Sequence, residues 1–127
     1  MPQHLSIETQ ETSQSGVETI ALAGGLTLET VAGFNAKLRE DPSPVLLLNF
    51  AKVEWLDSAG VGSLVQLLVR RAKGKGALAL AGLSARNRGV LQVANVLNLF
   101  SVFPTVEDAL AHFAKNGTMS DGASLSA

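Results

Sequence analysis

The sequence predicts an α/β domain: a mixed sheet of about four or five strands, opened by an antiparallel hairpin, with about four helices packed on it. Three observations predict this. Short runs with the period of a strand alternate with longer runs at helical spacing. Two of the strand-like runs, residues 45–50 and 77–81, are apolar almost without interruption, as strands covered on both faces tend to be. The first two runs are separated by a short polar loop, which favours antiparallel neighbours.

Leu5-Ser6-Ile7-Glu8-Thr9 alternates with period two, the pattern of a half-exposed strand. A polar loop over residues 10–15 leads through Gly16 to a second alternating run, 17–22, which Ala23-Gly24-Gly25 is expected to break. From residue 28 to 40, Leu28, Val31, Ala32, Phe34 and Leu38 recur at helical spacing. Thr27 fits the N-cap, and Asp41-Pro42-Ser43-Pro44 stops the helix. The apolar strand 45–50 follows, then a helix over 59–72 and a tight turn at Gly74-Lys75-Gly76. A second buried strand over 77–81, a helix over 85–97, a short edge strand over 100–103 and a last helix over 106–114 complete the domain. Phe34, Phe50, Phe100, Phe103 and Phe113 are expected in the core. The domain is assigned to residues 1–115, and 116–127, rich in Ser, Gly and Ala, is predicted to be a disordered tail.

Composition narrows the chemistry. The 127 residues suit one domain, and 46% hydrophobic content supports a real core. Cysteine is absent, which excludes disulfides, thiolate metal sites and thiol nucleophiles. His4 and His112 lie near opposite ends without metal-ligand spacing, so no metal or cofactor is expected. A net charge of −1 gives no global field for nucleic acid or an anionic membrane. The first residues carry no basic, apolar signal pattern, and the apolar stretches fall far short of the roughly 20 residues that span a bilayer. A cytoplasmic protein without direct membrane insertion is the expectation.

The segment that carries information is Trp55-Leu56-Asp57-Ser58-Ala59-Gly60-Val61-Gly62-Ser63-Leu64, between a buried strand and a helix. Loops at the carboxyl ends of strands are where α/β proteins commonly place function. Asp57 or Ser58 would cap the helix, and Gly60 and Gly62 would let it pack close to the sheet. The same residues suit a switch. A helix N-terminus tolerates an anion, and a phosphate on Ser58 would add about −1.5 to −2 charges beside Asp57 while leaving the fold intact. Ser63, further into the helix, is a poorer kinase target. Trp55 reads either as a plug under the loop or as a partly exposed interface anchor.

Residues 45–50 followed by Val53-Glu54-Trp55-Leu56-Asp57-Ser58-Ala59-Gly60-Val61-Gly62 closely resemble the STAS domain family of bacterial anti-sigma factor antagonists. The resemblance runs over about residues 5–114. It takes in Leu22-Ala23-Gly24, the Gly74-Lys75-Gly76 turn, Ala81-Gly82-Leu83-Ser84, and Val90-Leu91 through Leu99-Phe100. It implies that Ser58 is phosphorylated by a cognate anti-sigma factor that is also a serine kinase. In the family the unphosphorylated protein binds that partner and frees a sigma factor. Phosphorylation ends binding, and a serine phosphatase reverses it. The resemblance implies a partner surface of Asp57, Ser58, Ala59, Gly60 and Gly62 with Trp55, Gly25 and Thr27. The sequence departs from the family at Gly24-Gly25-Leu26-Thr27, where many members carry acids. That departure gives weight to a second branch, non-catalytic STAS subunits of lipid-transport ATPases.

Other readings fit less well. Residues 70–88 hold Arg70, Arg71, Lys73, Lys75, Arg86 and Arg88 with no acid, a local +6, against a local −4 in residues 1–41. Without aromatic residues to stack bases, this reads as a solvated face, or else a partner or nucleotide contact, rather than a nucleic-acid site. A serine hydrolase would need a base near Ser58 and glycines two before and two after it, but Leu56 occupies the first position. No enzyme activity is expected. A nucleotide sensor lacks a Walker-type loop. Whether two copies form a dimer is not fixed by the sequence.

Overall fold

The computed structural model describes residues 4–12 and 14–115, so the predicted tail lies outside the described residues. Its elements are β1 (Leu5–Gln10), β2 (Val17–Leu26), α1 (Val31–Leu38), β3 (Val45–Leu56), α2 (Ser58–Lys73), β4 (Ala77–Ala81), α3 (Ala85–Val93), a 3-10 turn (Leu97–Leu99), β5 (Ser101–Phe103) and α4 (Val106–Lys115). The sheet runs in sequential order, β1 to β5. β1 and β2 pair antiparallel, and every later pair is parallel. The mixed sheet with its N-terminal hairpin is the predicted fold.

Sequential order fixes the layers. Three consecutive β-to-β crossovers of the same hand place their helices on one face of the sheet. Phe34 and Leu38 of α1, Val61, Leu64 and Leu67 of α2 and Leu91 of α3 accordingly share one core with Leu46, Leu48, Leu78 and Leu80 of the sheet. α4 covers the other face, where Ala109 packs on Val45, Leu47, Ala79 and Ala81. Leu46, Leu48, Leu64 and Leu80 are fully buried, and each contributes about 1.5–3 kcal/mol.

Four boundaries differ from expectation, each for a physical reason. β2 does not stop at Ala23-Gly24-Gly25 but continues to Leu26. Gly24, at φ 109°, absorbs the distortion at a register shift that other residues would resist. β3 runs past Phe50 to Leu56, because its second half still pairs with β2. α1 begins only at Val31, and its N-cap position is Thr30, not Thr27. The Thr27 carbonyl accepts from the amides of Thr30 and Val31, so residues 27–30 form a turn ahead of the helix. α3 ends at Val93 instead of 97: Asn95 adopts φ 63°, and the amides of Asn95 and Val96 bond back to the carbonyls of Gln92 and Leu91. That is a Schellman closure, with Asn in the left-handed position usually given to Gly.

At the carboxyl end of α2, Arg71 is buried, which overturns its placement on a solvated face. Its Nε donates to the Ala77 carbonyl at 2.8 Å, one terminal nitrogen to the Asp41 carbonyl at 3.2 Å and the other to the Ser43 carbonyl. Burial lowers its pKa, and the Asp41 carboxylate, 4.0 Å away, opposes that shift. The side chain clamps the entries of β3 and β4, at the opposite end of the strands from the Asp57-Ser58 segment.

Candidate functional site

Asp57 follows β3 without an intervening loop, in an extended conformation (φ −106°, ψ −176°), and is the N-cap of α2. Its Oδ1 accepts from the Gly60 amide at 2.9 Å. Its Oδ2 accepts from the Leu28 amide at 3.1 Å, across 29 positions of sequence. One carboxylate therefore joins the first turn of α2 to the turn between β2 and α1. The helix dipole favours a negative charge at this position.

Ser58, the first residue of α2, is exposed. Its hydroxyl makes no hydrogen bond within the described residues, so it is open to reaction from solvent. The capping role falls to Asp57 alone. Ser63, by contrast, is buried, at 5% exposure.

The glycines divide. Gly60 is buried, and a Cβ there would overlap the Leu26 carbonyl oxygen and lie 2.9 Å from Leu56 Cδ1. It lets α2 start hard against the end of β2. Gly62 is exposed, and a Cβ there would meet nothing within 4 Å. Close packing explains Gly60 and does not explain Gly62.

Trp55 is 48% exposed, so it is not a plug. It pairs with Gly25 on β2, and the Arg86 guanidinium lies 5.1 Å from its ring centroid. A cation over an indole face at an exposed site contributes about 0.5–1 kcal/mol. The fold holds Arg86 there. Ser84 caps α3 by accepting from the Asn87 amide, and the buried Asn87 side chain donates to the Val53 carbonyl at 3.0 Å. Asn87 substitutes for a strand neighbour where β3 outruns β4, and so fastens the start of α3 beside the site.

Gly25 and Thr27 are buried and present no side chain at the surface. Gly25 accepts from Thr30 Oγ1 at 2.7 Å and donates to the His4 carbonyl at 3.0 Å. The Thr27 hydroxyl oxygen is buried without a partner. Leu28, which follows them, is 75% exposed. The helical spacing of the sequence expects Leu28 in the core, and the basic run expects Arg86 on a solvated face. Both flank the site instead. Leu28 lies two residues past the end of β2 and three before the start of α1, in a turn that the helical spacing of its apolar neighbours conceals.

The remaining candidates lie elsewhere. The His112 ring sits 5.2 Å from that of Phe103 and 5.1 Å from that of Phe113, on α4 and so on the other face of the sheet from α2. Among the described residues no group of His, Cys, Asp and Glu is arranged to hold a metal ion, and no helix is long and apolar enough to cross a membrane.

The model of the STAS domain matches residues 7–109. The chain belongs to the STAS domain family. No match is found among curated proteins. Among solved structures, this STAS domain is similar to an anti-sigma factor antagonist from Mycobacterium paratuberculosis, with a TM-score of 0.74 and 20% identity over 85% of this chain and 92% of that one. It is similar to a sulfate transporter family protein from Wolinella succinogenes, with a TM-score of 0.74 and 23% identity over 83% and 90%. SpoIIAA, a Bacillus anti-sigma factor antagonist, matches in its unphosphorylated form with a TM-score of 0.72 and 20% identity over 87% and 97%. SpoIIAA is also known in a phosphorylated form.

Proposed function

We propose that this STAS domain is an anti-sigma factor antagonist switched at Ser58. The observation that carries the reading is the exposed, unbonded Ser58 hydroxyl at the first residue of α2, beside a capping carboxylate that also holds the amide of the exposed Leu28, and three residues past the exposed Trp55. The unphosphorylated surface, comprising Asp57, Ser58, Ala59 and Gly62 with Trp55, binds an anti-sigma factor that is also a serine kinase, and a sigma factor is released. Trp55 supplies an aromatic anchor of the kind that dominates interfaces.

The chemistry belongs to the partner. Ser58 Oγ attacks the γ-phosphorus of ATP held by the kinase, an Oγ–P bond forms, the bond to ADP breaks and the hydroxyl proton passes to a base of the kinase. The product carries about −1.5 to −2 charges where the partner has to approach. Like charges brought together at an interface cost several kcal/mol, so binding ends without unfolding. A serine phosphatase restores the surface by hydrolysis. Solved antagonists of the same fold, one of them in two phosphorylation states, support the reading.

The test is intact-mass spectrometry after incubation with ATP and the kinase-like anti-sigma protein from the same genome. One added phosphate, absent from Ser58→Ala, is expected, and Ser58→Glu is expected to lower affinity for that protein by about 100-fold. Unchanged affinity of Ser58→Glu would overturn the switch. A second reading, a non-catalytic STAS subunit of a transport complex such as a lipid-transport ATPase, is favoured by the equal TM-score of the sulfate transporter family protein. It predicts no phosphate with any such kinase and recovery of transporter subunits in a pull-down.

A further inference from the structure

The turn between β2 and α1 is bonded to the same carboxylate that caps α2. Leu28 donates its amide to Asp57 Oδ2, while Gly60 donates to Oδ1. The turn also relies on Thr30, whose Oγ1 accepts from the Thr27 amide at 3.0 Å and donates to the Gly25 carbonyl. The buried Thr27 hydroxyl, which has no partner, adds nothing to its hold. Leu28 itself projects into solvent at 75% exposure. An exposed leucine is therefore held in place in part by a side chain adjacent to the phosphorylation site.

A phosphate on Ser58 would bring three acceptor oxygens to the N–H groups at the start of α2, where Asp57 already binds. Phosphate and carboxylate repel one another and compete for the same donors. The bond from Leu28 is the weaker holding, because it lies at the surface, where water replaces the carboxylate at little cost.

Resting on the reading of Ser58 as the switch, we propose that its phosphate acts on the β2–α1 turn through Asp57. It displaces the carboxylate from the Leu28 amide, and the Leu28 side chain leaves the position in which the anti-sigma factor receives it.

Hydrogen exchange of the Leu28 amide, followed by NMR in the full chain, tests this directly. Three proteins are compared: the unmodified chain, the chain with phosphoserine installed at position 58 during translation, and Asp57→Asn. Asparagine is an equally good N-cap, and its single carbonyl oxygen serves Gly60 while its amino group has no lone pair for Leu28. Leu28 exchange is expected to rise roughly fivefold in both altered proteins, with Gly60 protection retained in Asp57→Asn as evidence that α2 is still capped. Unchanged Leu28 exchange with phosphoserine would overturn the coupling and leave a switch by direct repulsion standing. Unchanged exchange in Asp57→Asn would overturn it too, by showing that Asp57 does not hold Leu28. Because translation supplies the phosphoserine, a Leu28 response in a protein that no kinase modifies would sustain the coupling while sinking the switch.

Discussion

At the amino end of α2, Asp57 commits both carboxylate oxygens to backbone amides of two segments, and the neighbouring Ser58 is left exposed and unbonded. At the carboxyl end, Arg71 is buried and donates to three carbonyls from the loop before β3 and the start of β4. Both ends join distant segments through one charged side chain. They differ in what remains for a partner. The Arg71 end is closed on itself, whereas the Asp57 end holds an exposed hydroxyl and two exposed apolar side chains at the surface. One helix thus has a closed, clamped end and an open one, and substitutions at its two ends should have different consequences.

The largest effect on stability is expected at the closed end. Arg71→Ala removes the clamp and leaves three carbonyls to find water in a buried place, a loss of about 3 kcal/mol. That is a large share of the roughly 5–15 kcal/mol that holds a domain together. Urea unfolding would read it as a fall in midpoint at constant slope. Arg71→Lys should recover little, because an ammonium lacks the planar fork that reaches several acceptors. A loss under about 1 kcal/mol would show that the two ends are not so different.

Gly60→Ala comes next and breaks the open end by packing. The added methyl overlaps the Leu26 carbonyl, so the first turn of α2 has to back away from β2. The strain of overpacking, about 1–3 kcal/mol, outweighs the gain of up to about 1 kcal/mol that Ala brings to a helix. A net loss of about 1 kcal/mol in urea or thermal unfolding is expected. A Gly60→Ala protein as stable as the original would mean that α2 does not start against β2 as described.

The same contrast explains what the sequence disclosed. The alternation of strands and helices, the mostly parallel sheet with its opening hairpin and the Asp57-Ser58 junction were legible because they rest on local pattern: apolar runs, helical spacing and a capping residue. The length of β3 was not. It carries two register shifts against β2, between Ala21 and Ala23 and between Gly24 and Gly25, where β3 contributes extra residues. Those shifts replace period-two alternation with buried positions at Val53 and Leu56 and exposed ones between them, which reads as a loop. Arg71 was illegible for another reason. Its acceptors at Asp41 and Ser43 lie 30 and 28 positions away, so its neighbours along the chain suggested only a charged face. Arg86 was misread likewise, since its contact with Trp55 depends on Asn87 reaching Val53.

The smallest expected effect sharpens the comparison most. Gly62 sits in α2 two residues beyond Gly60, yet a Cβ there would meet nothing within 4 Å. A glycine inside a helix costs up to about 1 kcal/mol relative to alanine, and nothing within the described residues uses the space it leaves. Gly62→Ala should therefore stabilise the isolated domain by about 0.4–1 kcal/mol, a rise of a few degrees in Tm. If Gly62 is bare because a partner backbone approaches it, the same substitution should weaken binding of the anti-sigma factor even as the fold gains. Stability rising while affinity falls would place Gly62 in the interface with Ser58. Stability and affinity rising or holding together would confine the interface to Trp55, Leu28 and the first turn of the helix.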